Sequence, residues 1–452
     1  MITQKTDTYD TDNDCIVCFG VYGIALEHKI KIDKSATALA MFAVIWSVYA
    51  LASGDADTGS KLLEHLGSTC ETLVFLIGAM TIVDLIDRHG GFSIITERIT
   101  TRNKITLLWT LAFITFFMSA VLDNMTTTII MIMMLRKIVP TVRDRWIYAG
   151  VIIIAANTGG AWSPIGDVTT IMLWMRGNVS AGSLILYLLV PCLVAMVIPV
   201  AMAMRQLRQG ALMLPPVETT TPLPSGVGKR FSRGVLCLGV AGLLFVPVFK
   251  SLTGLPPYVG MMLSLGVVWI VTEWIYGHRK VSMREDAKHR VSQIVKNIDM
   301  PTILFFLGIL MSVAGLQTAG ILSHTAHLLD SNIHEVFTIT SIIGVLSSVI
   351  DNVPLVAACI GMYPVADVTA IAASADPAYA QLFAPDGLFW LLLSYCAGVG
   401  GSILIIGSAA GVVAMGLERI DFAWYLKNIS LMAFVGYVAG IVVIFLESIL
   451  LM

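Results

Sequence analysis

The chain has 452 residues, of which 57% are hydrophobic and only 13% charged, and its formal net charge is −2. An ordinary soluble domain carries about 25% charged residues, so this composition excludes a water-soluble globule and makes the bilayer the solvent. A near-neutral charge with no basic tail, and no basic patch interleaved with aromatics, gives nucleic acid no footing as a partner.

Residues 1–14 are a polar, acidic tail, unlike the basic start of a cleaved signal peptide. The apolar segment that follows, Cys15 to Leu26, is short; Ser35 to Ser53 is the first run close to the roughly 20 residues a spanning helix needs. Cys15 and Cys18 have no second pair or histidine at metal-ligand spacing, and the seven cysteines read as small core residues. Asp84 and Asp87 lie beside Arg88 near the end of the next span, as paired or solvated interfacial carboxylates.

Ile105 to Leu122 is long enough to cross, but Met125 to Leu135 is not. Basic residues flank the pair on both sides, from Arg98 to Lys104 and from Arg136 to Arg145, so the chain is predicted to enter and leave on one side. That makes a re-entrant hairpin with Asp123 and Asn124 near its tip. Trp146 to Met175 reads as one crossing broken at its centre, because Asn157-Thr-Gly-Gly-Ala-Trp-Ser-Pro-Ile-Gly-Asp167 cannot sustain helix hydrogen bonding. A linker at 205–233, marked by Pro215, Pro216, Pro222 and Pro224, then joins two halves.

In the second half Tyr258 to Val271 is another uncharged run, with Glu273 at its end near a basic loop. Phe337 to Ile350 and Val353 to Tyr363 form a second hairpin around Asp351 and Asn352, with no Lys or Arg on its flanks. Gly398-Val-Gly-Gly-Ser-Ile-Leu-Ile-Ile-Gly-Ser408 is a second helix break, and Leu431 to Leu446 the last apolar run. Lysine and arginine concentrate in alternate loops, which places the linker and 279–296 in the cytoplasm and 54–70, 323–335 and 366–385 outside. The first hairpin thus opens inward and the second outward.

The halves are copies. Ser119-Ala-Val-Leu-Asp-Asn124 aligns with Ser347-Ser-Val-Ile-Asp-Asn352 at an offset of 228 residues, and Gly159, Gly160, Ile165 and Gly166 recur as Gly400, Gly401, Ile406 and Gly407 at 241. Upstream, Thr72, Phe75, Gly78, Val83 and Gly90 recur as Thr302, Phe305, Gly308, Val313 and Gly320 at 230. The expected fold is an all-α polytopic membrane protein of two inverted repeats, 15–204 and 234–452, each with about five crossings, one re-entrant hairpin and a helix discontinuous at the midplane.

Unwound backbone at membrane depth is tolerated only where protein or a polar cavity meets its free groups, and an ionisable side chain there costs at least about 2.5–3.5 kcal/mol. Asp123, Asp167 and Asp351 occupy such places, either as caps of broken helices or as ligands for an ion. Na⁺, a hard cation, prefers oxygen. The same segments supply amide oxygens on Asn124, Asn157 and Asn352 and hydroxyls on Thr126, Thr127, Thr158, Ser163, Thr169, Ser402 and Ser408. Hydroxyls in membrane helices also bond to their own backbone, which leaves two roles open for them. A carboxylate site that holds either a proton or a cation, but not both, is an antiporter by competition. No cofactor is expected.

At Ser119–Thr128, Asn157–Thr170 and Ser348–Pro354 the chain resembles the NhaD-type Na⁺/H⁺ antiporters of the ion transporter superfamily, which also holds arsenite exporters and sodium-coupled dicarboxylate carriers. The resemblance runs from about Glu27 to the last helix. It implies exchange of Na⁺, and Li⁺ with it, for H⁺, a scaffold domain and a transport domain in each protomer of a homodimer, an elevator-like displacement, and residence in the bacterial cytoplasmic membrane. The dicarboxylate carriers typically have Ser-Asn-Thr at both hairpin tips. Here the serine positions are Asp123 and Asp351, which disfavours an anion, while Ser408 as counterpart of Asp167 makes the site asymmetric. The alternatives are a Na⁺-coupled carrier, or an exporter of arsenite or dicarboxylate, on the same fold; a membrane enzyme would need a nucleophile or metal motif that the sequence lacks.

Orientation is directly testable. In a cysteine-free background, a cysteine replacing Ser60 is expected to react with an impermeant thiol reagent from outside, and one replacing Ser292 only from the cytoplasm. The reverse labelling would overturn the assignment of both hairpins.

Overall fold

The computed structural model describes residues 34–54, 57–91, 101, 103–207, 229–278, 291–296, 298–374 and 376–451. The tail, the segment Cys15 to Leu26 and the linker's prolines lie outside the described residues. Every regular element within them is a helix, and eight are long and apolar enough to cross a membrane. The chain is an all-helical, polytopic membrane protein.

Five helices form one set: α1 (Lys34–Ser53), α2 (Thr58–Arg88), α8 (Lys229–Thr253), α9 (Pro257–His278) and α10 (Met300–Thr318). Within it α1 packs on α10, α8 on α9, and α9 and α10 on α2. The second set begins with α3 (Lys104–Leu122), α4 (Asn124–Ile138), α5 (Val142–Ala161), α6 (Val168–Met175) and α7 (Ala181–Leu207). It continues with α12 (Val336–Leu346), α13 (Asn352–Met362), α14 (Leu388–Gly400), α15 (Ala409–Glu418) and α16 (Leu431–Leu451). The helix α11 (Ile321–Asn332) touches α10 and α13. Since α7 runs to Leu207 and α8 starts at Lys229, helix occupies both ends of the expected linker.

Local chemistry sets the helix ends at the centre of the second set. Asn103 accepts from the amides of Ile105 and Thr106 and starts α3. The single residue Asp123 both ends α3 and caps α4. Trp146 to Met175 divides into α5 and α6 across 162–167, and its counterpart into α14 and α15 across 401–408. The first break is shorter than the sequence suggested, since Asn157 to Ala161, glycines included, remain helical where α5 packs closely on α3.

Equivalent contacts occur in both halves, at the offsets that align the sequences. The Ser119 hydroxyl donates to the Ala156 carbonyl over 2.6 Å, and that of Ser347 to the Ala397 carbonyl over 2.8 Å. A Cβ on Gly159 would stand 2.2 Å from the Phe116 carbonyl oxygen, and one on Gly400 2.1 Å from that of Gly344. Only glycine lets α3 and α5, and likewise α12 and α14, approach so closely.

A second tie lies at the far end of α15. The carboxylate of Glu418, fully buried, receives Arg136 of α4 at 2.7 Å and Arg145 of α5 at 2.9 Å. Arg136 also donates to the Leu417 carbonyl, and the Trp146 indole to the Glu418 carbonyl. Removing Glu418 would deprive two arginines of their partner, and since these are partly exposed, 42% and 19%, the loss stays below the cost of stranding fully buried charges. Glu418→Ala is therefore expected to lower the unfolding midpoint of the purified protein clearly, and Glu418→Gln, which keeps two polar atoms in place, by less. An unchanged midpoint for Glu418→Ala would show that the clamp contributes nothing.

Candidate functional site

Four helices of the second set begin around one point, each at a residue whose side chain meets its own first-turn amides. Asp123 accepts from the amide of Thr126 at 2.8 Å, Asp167 from Thr169 at 3.2 Å, Asp351 from Val353 at 3.2 Å and Ser408 from Gly411 at 3.2 Å. A helix N-terminus leaves four amides without intrahelical partners and carries roughly half a positive charge. Aspartate answers both. At Asp167 the cap is a full capping box with Thr170.

Asp123 has φ 94° and ψ 156°, a region that is essentially glycine's own and costs of order 1–3 kcal/mol for another residue. Glycine would relieve that strain and forfeit the side chain. Its second carboxylate oxygen takes the Thr126 hydroxyl at 2.7 Å.

The asparagines link the four starts. One oxygen of Asp167 accepts from the Asn124 side chain at 3.1 Å and from that of Asn352 at 3.0 Å, so the amides of both Asp-Asn pairs meet on one carboxylate. Asn124 also donates to Asn157 at 3.1 Å, and Asn157 donates to the hydroxyls of Ser402 at 2.9 Å and Ser408 at 2.8 Å. Asp167, Asn124, Asn157, Asn352, Ser402 and Ser408 are all buried.

A cavity of about 70 Å³ lies against this network. Its polar lining is Asp123, Asn124, Asp167, Asp351, Asn352 and, from α10, Thr302; no Lys, Arg or His lines it. The first set contributes an otherwise apolar wall, with Leu76, Met80, Met261, Phe305 and Phe306.

The other expected ligands are placed differently. Thr158 donates to the Ile154 carbonyl of its own helix and Ser163 to the Ala120 carbonyl, so both hold backbone, and neither lines the cavity. Thr126 serves Asp123, while Ser402 and Ser408 serve Asn157. The hydroxyls of Thr127 and Thr169 are buried without a hydrogen-bond partner. Among the described residues no three His, Cys, Asp or Glu side chains converge as a metal cage, although Asp123, Asp167 and Asp351 all line the cavity. Sequence reasoning assigned no role to Ser119 and Ser347, although both stood inside the repeated motif, and it missed Thr302, Glu418 and Tyr425, whose hydroxyl pins the Ser402 carbonyl at 2.8 Å. Asp84 pairs with Arg88 at 2.9 Å, as its position suggested.

Residues 22–384 match the family described as Citrate transporter, CitMHS. Two Arabidopsis thaliana proteins named sodium/proton antiporter 1 and 2 are 45% and 44% identical over 93% and 92% of this chain, the matches spanning 70% and 95% of their own lengths. A Vibrio cholerae protein named Na(+)/H(+) antiporter NhaD is 29% identical over 93% of this chain and 88% of its own.

Asn157 joins both helix breaks to the first hairpin tip, and its loss would orphan buried polar groups at about 1–3 kcal/mol each. Asn157→Leu is expected to lower the thermal midpoint more than Thr158→Val, whose hydroxyl serves only its own helix. Equal midpoints would dissolve the network's structural role.

Proposed function

The chain belongs to the citrate transporter family, CitMHS, and we propose that within it the protein exchanges Na⁺ for H⁺ across a membrane. One observation carries the choice between ions: among the described residues, three carboxylates and no cationic side chain line the cavity. A tricarboxylate would have to sit beside like charges, whereas a small cation finds hard oxygen donors. The relatives named sodium/proton antiporters agree.

The carboxylate of Asp167 is the centre of the site, with Asp123 and Asp351 at the two hairpin tips and Asn124, Asn157 and Asn352 fixing their spacing. Four helix starts bring roughly two positive charges against three carboxylates, leaving about one negative charge for a single Na⁺ or proton to neutralise. Na⁺ and H⁺ then compete for the same oxygens, and Li⁺, a smaller hard cation, shares the site.

Two inverted repeats with re-entrant hairpins underlie this arrangement, a reading supported by the paired contacts at offsets 228 and 241 and by the opposite basic bias of the two hairpin flanks. The set holding the four helix starts is the transport domain and the other the scaffold. The apolar wall between them supports an elevator-like displacement in each protomer of a homodimer. Multi-pass residence in the membrane follows from the spans; the bacterial cytoplasmic membrane rests on relatives such as that of Vibrio cholerae, beside those from a plant.

Proteoliposomes carrying a pH-sensitive dye test the reading. Asp123→Asn and Asp351→Asn should each abolish Na⁺-driven proton movement while the protein stays inserted. In the unaltered protein, lowering the pH should raise the apparent KM for Na⁺, and saturating Na⁺ should recover most of the maximal rate, because protons occupy the oxygens that Na⁺ needs. An apparent Na⁺ affinity independent of pH would mean separate sites and end the competition mechanism.

A further inference from the structure

Away from the carboxylates, a groove of about 500 Å³ opens between the start of α5 and the segment leading into α16, lined by Val142, Arg143, Trp146, Trp424, Lys427 and Asn428. It lies on the side that the basic residues assign to the cytoplasm. We propose that this groove binds the phosphate headgroup of an anionic phospholipid.

Two cations face it with nothing to neutralise them. Arg143 and Lys427 are exposed and make no ion pair among the described residues. The nearby acids are engaged: Asp144 with Lys104 at 2.5 Å, Glu418 with Arg136 and Arg145, and Asp421 in capping the short helix Phe422–Tyr425 through the Trp424 amide. The helix α5 starts at Val142 without a side-chain cap, which leaves first-turn amides on the same wall.

The groove is also built rather than merely charged. Trp146 and Trp424 meet edge to face at 5.1 Å, Trp146 held by the Glu418 carbonyl and the Trp424 carbonyl by the Asn428 side chain at 2.8 Å. The chain from Leu426 to Ser430 is a π-helical turn, which carries Lys427 and Asn428 to the groove. Indole rings favour the level of lipid headgroups, and basic pockets between membrane helices suit anionic ones.

A lipid fits better than free phosphate because exposed apolar side chains neighbour the cations along the chain, Val142 beside Arg143 and Leu426 beside Lys427. Val142, Phe422, Leu426 and Leu431 are 50%, 39%, 49% and 66% exposed, a surface that acyl chains would cover.

The full chain in phosphatidylcholine nanodiscs, with phosphatidylglycerol titrated in, provides the test, bound lipid being counted by native mass spectrometry. The double variant Arg143→Gln/Lys427→Gln should lose phosphatidylglycerol affinity by about thirtyfold, while Arg230→Gln/Arg233→Gln stays within about twofold of the unaltered protein. The charge-conserving Arg143→Lys/Lys427→Arg should retain binding, which separates the loss from any effect on folding. Equal affinity in both glutamine variants would overturn the site. Displacement of the lipid by equimolar water-soluble glycerophosphate would also overturn it, by showing a seat for free phosphate instead.

Discussion

Four helices that start inside the protein around one point are the constraint on which the rest depends. Each start presents unpaired amides and a partial positive charge where water cannot answer them. Three aspartates and a serine answer them from within, and this single requirement explains why carboxylates stand where ionisable groups are otherwise excluded. It also accounts for the asparagines beside two of the acids. Asn124 and Asn352, each following a capping acid, both reach Asp167.

The family is described by an anionic substrate, whereas the cavity of this chain is lined by carboxylates. Helix starts by themselves attract anions, which suits citrate. Aspartate caps invert that preference without altering the backbone that makes the starts. Within this chain three of the four starts are capped by a carboxylate and one by the Ser408 hydroxyl, so the same backbone arrangement accepts either group.

The helix breaks and tips were legible in the sequence because their signals are local, Ser-Pro and Asp-Asn acting on the residues beside them. The paired glycines misled: Gly159 and Gly160 stay helical in α5, where Gly159 serves its close packing on α3 instead. The expected breaks fall between α5 and α6 and between α14 and α15, and Asp123 and Asp351 begin α4 and α13. The clamp at Glu418 was not legible, since its partner Arg136 lies 282 residues away and no short-range pattern announces it. Nor could sequence sort the hydroxyls. Thr158 bonds back to its own helix while Thr127 and Thr169 find no partner, a difference of side-chain direction that composition does not carry. The wall of Leu76, Met80, Phe305 and Phe306 looked like ordinary spanning helix, and only the packing of the two sets gives it a task.

The backbone at Asp123 has a meaning for how such a protein can change over time. A position with a glycine's geometry and an acid's side chain is held by two demands that no single residue satisfies together. Glycine there would remove the strain but also the two hydrogen bonds to Thr126, so the acid and the backbone oppose each other with comparable weight. A residue balanced in this way can be exchanged with little net change in stability, so the tip of the first hairpin is a place where the chain's chemistry can change almost independently of its folding.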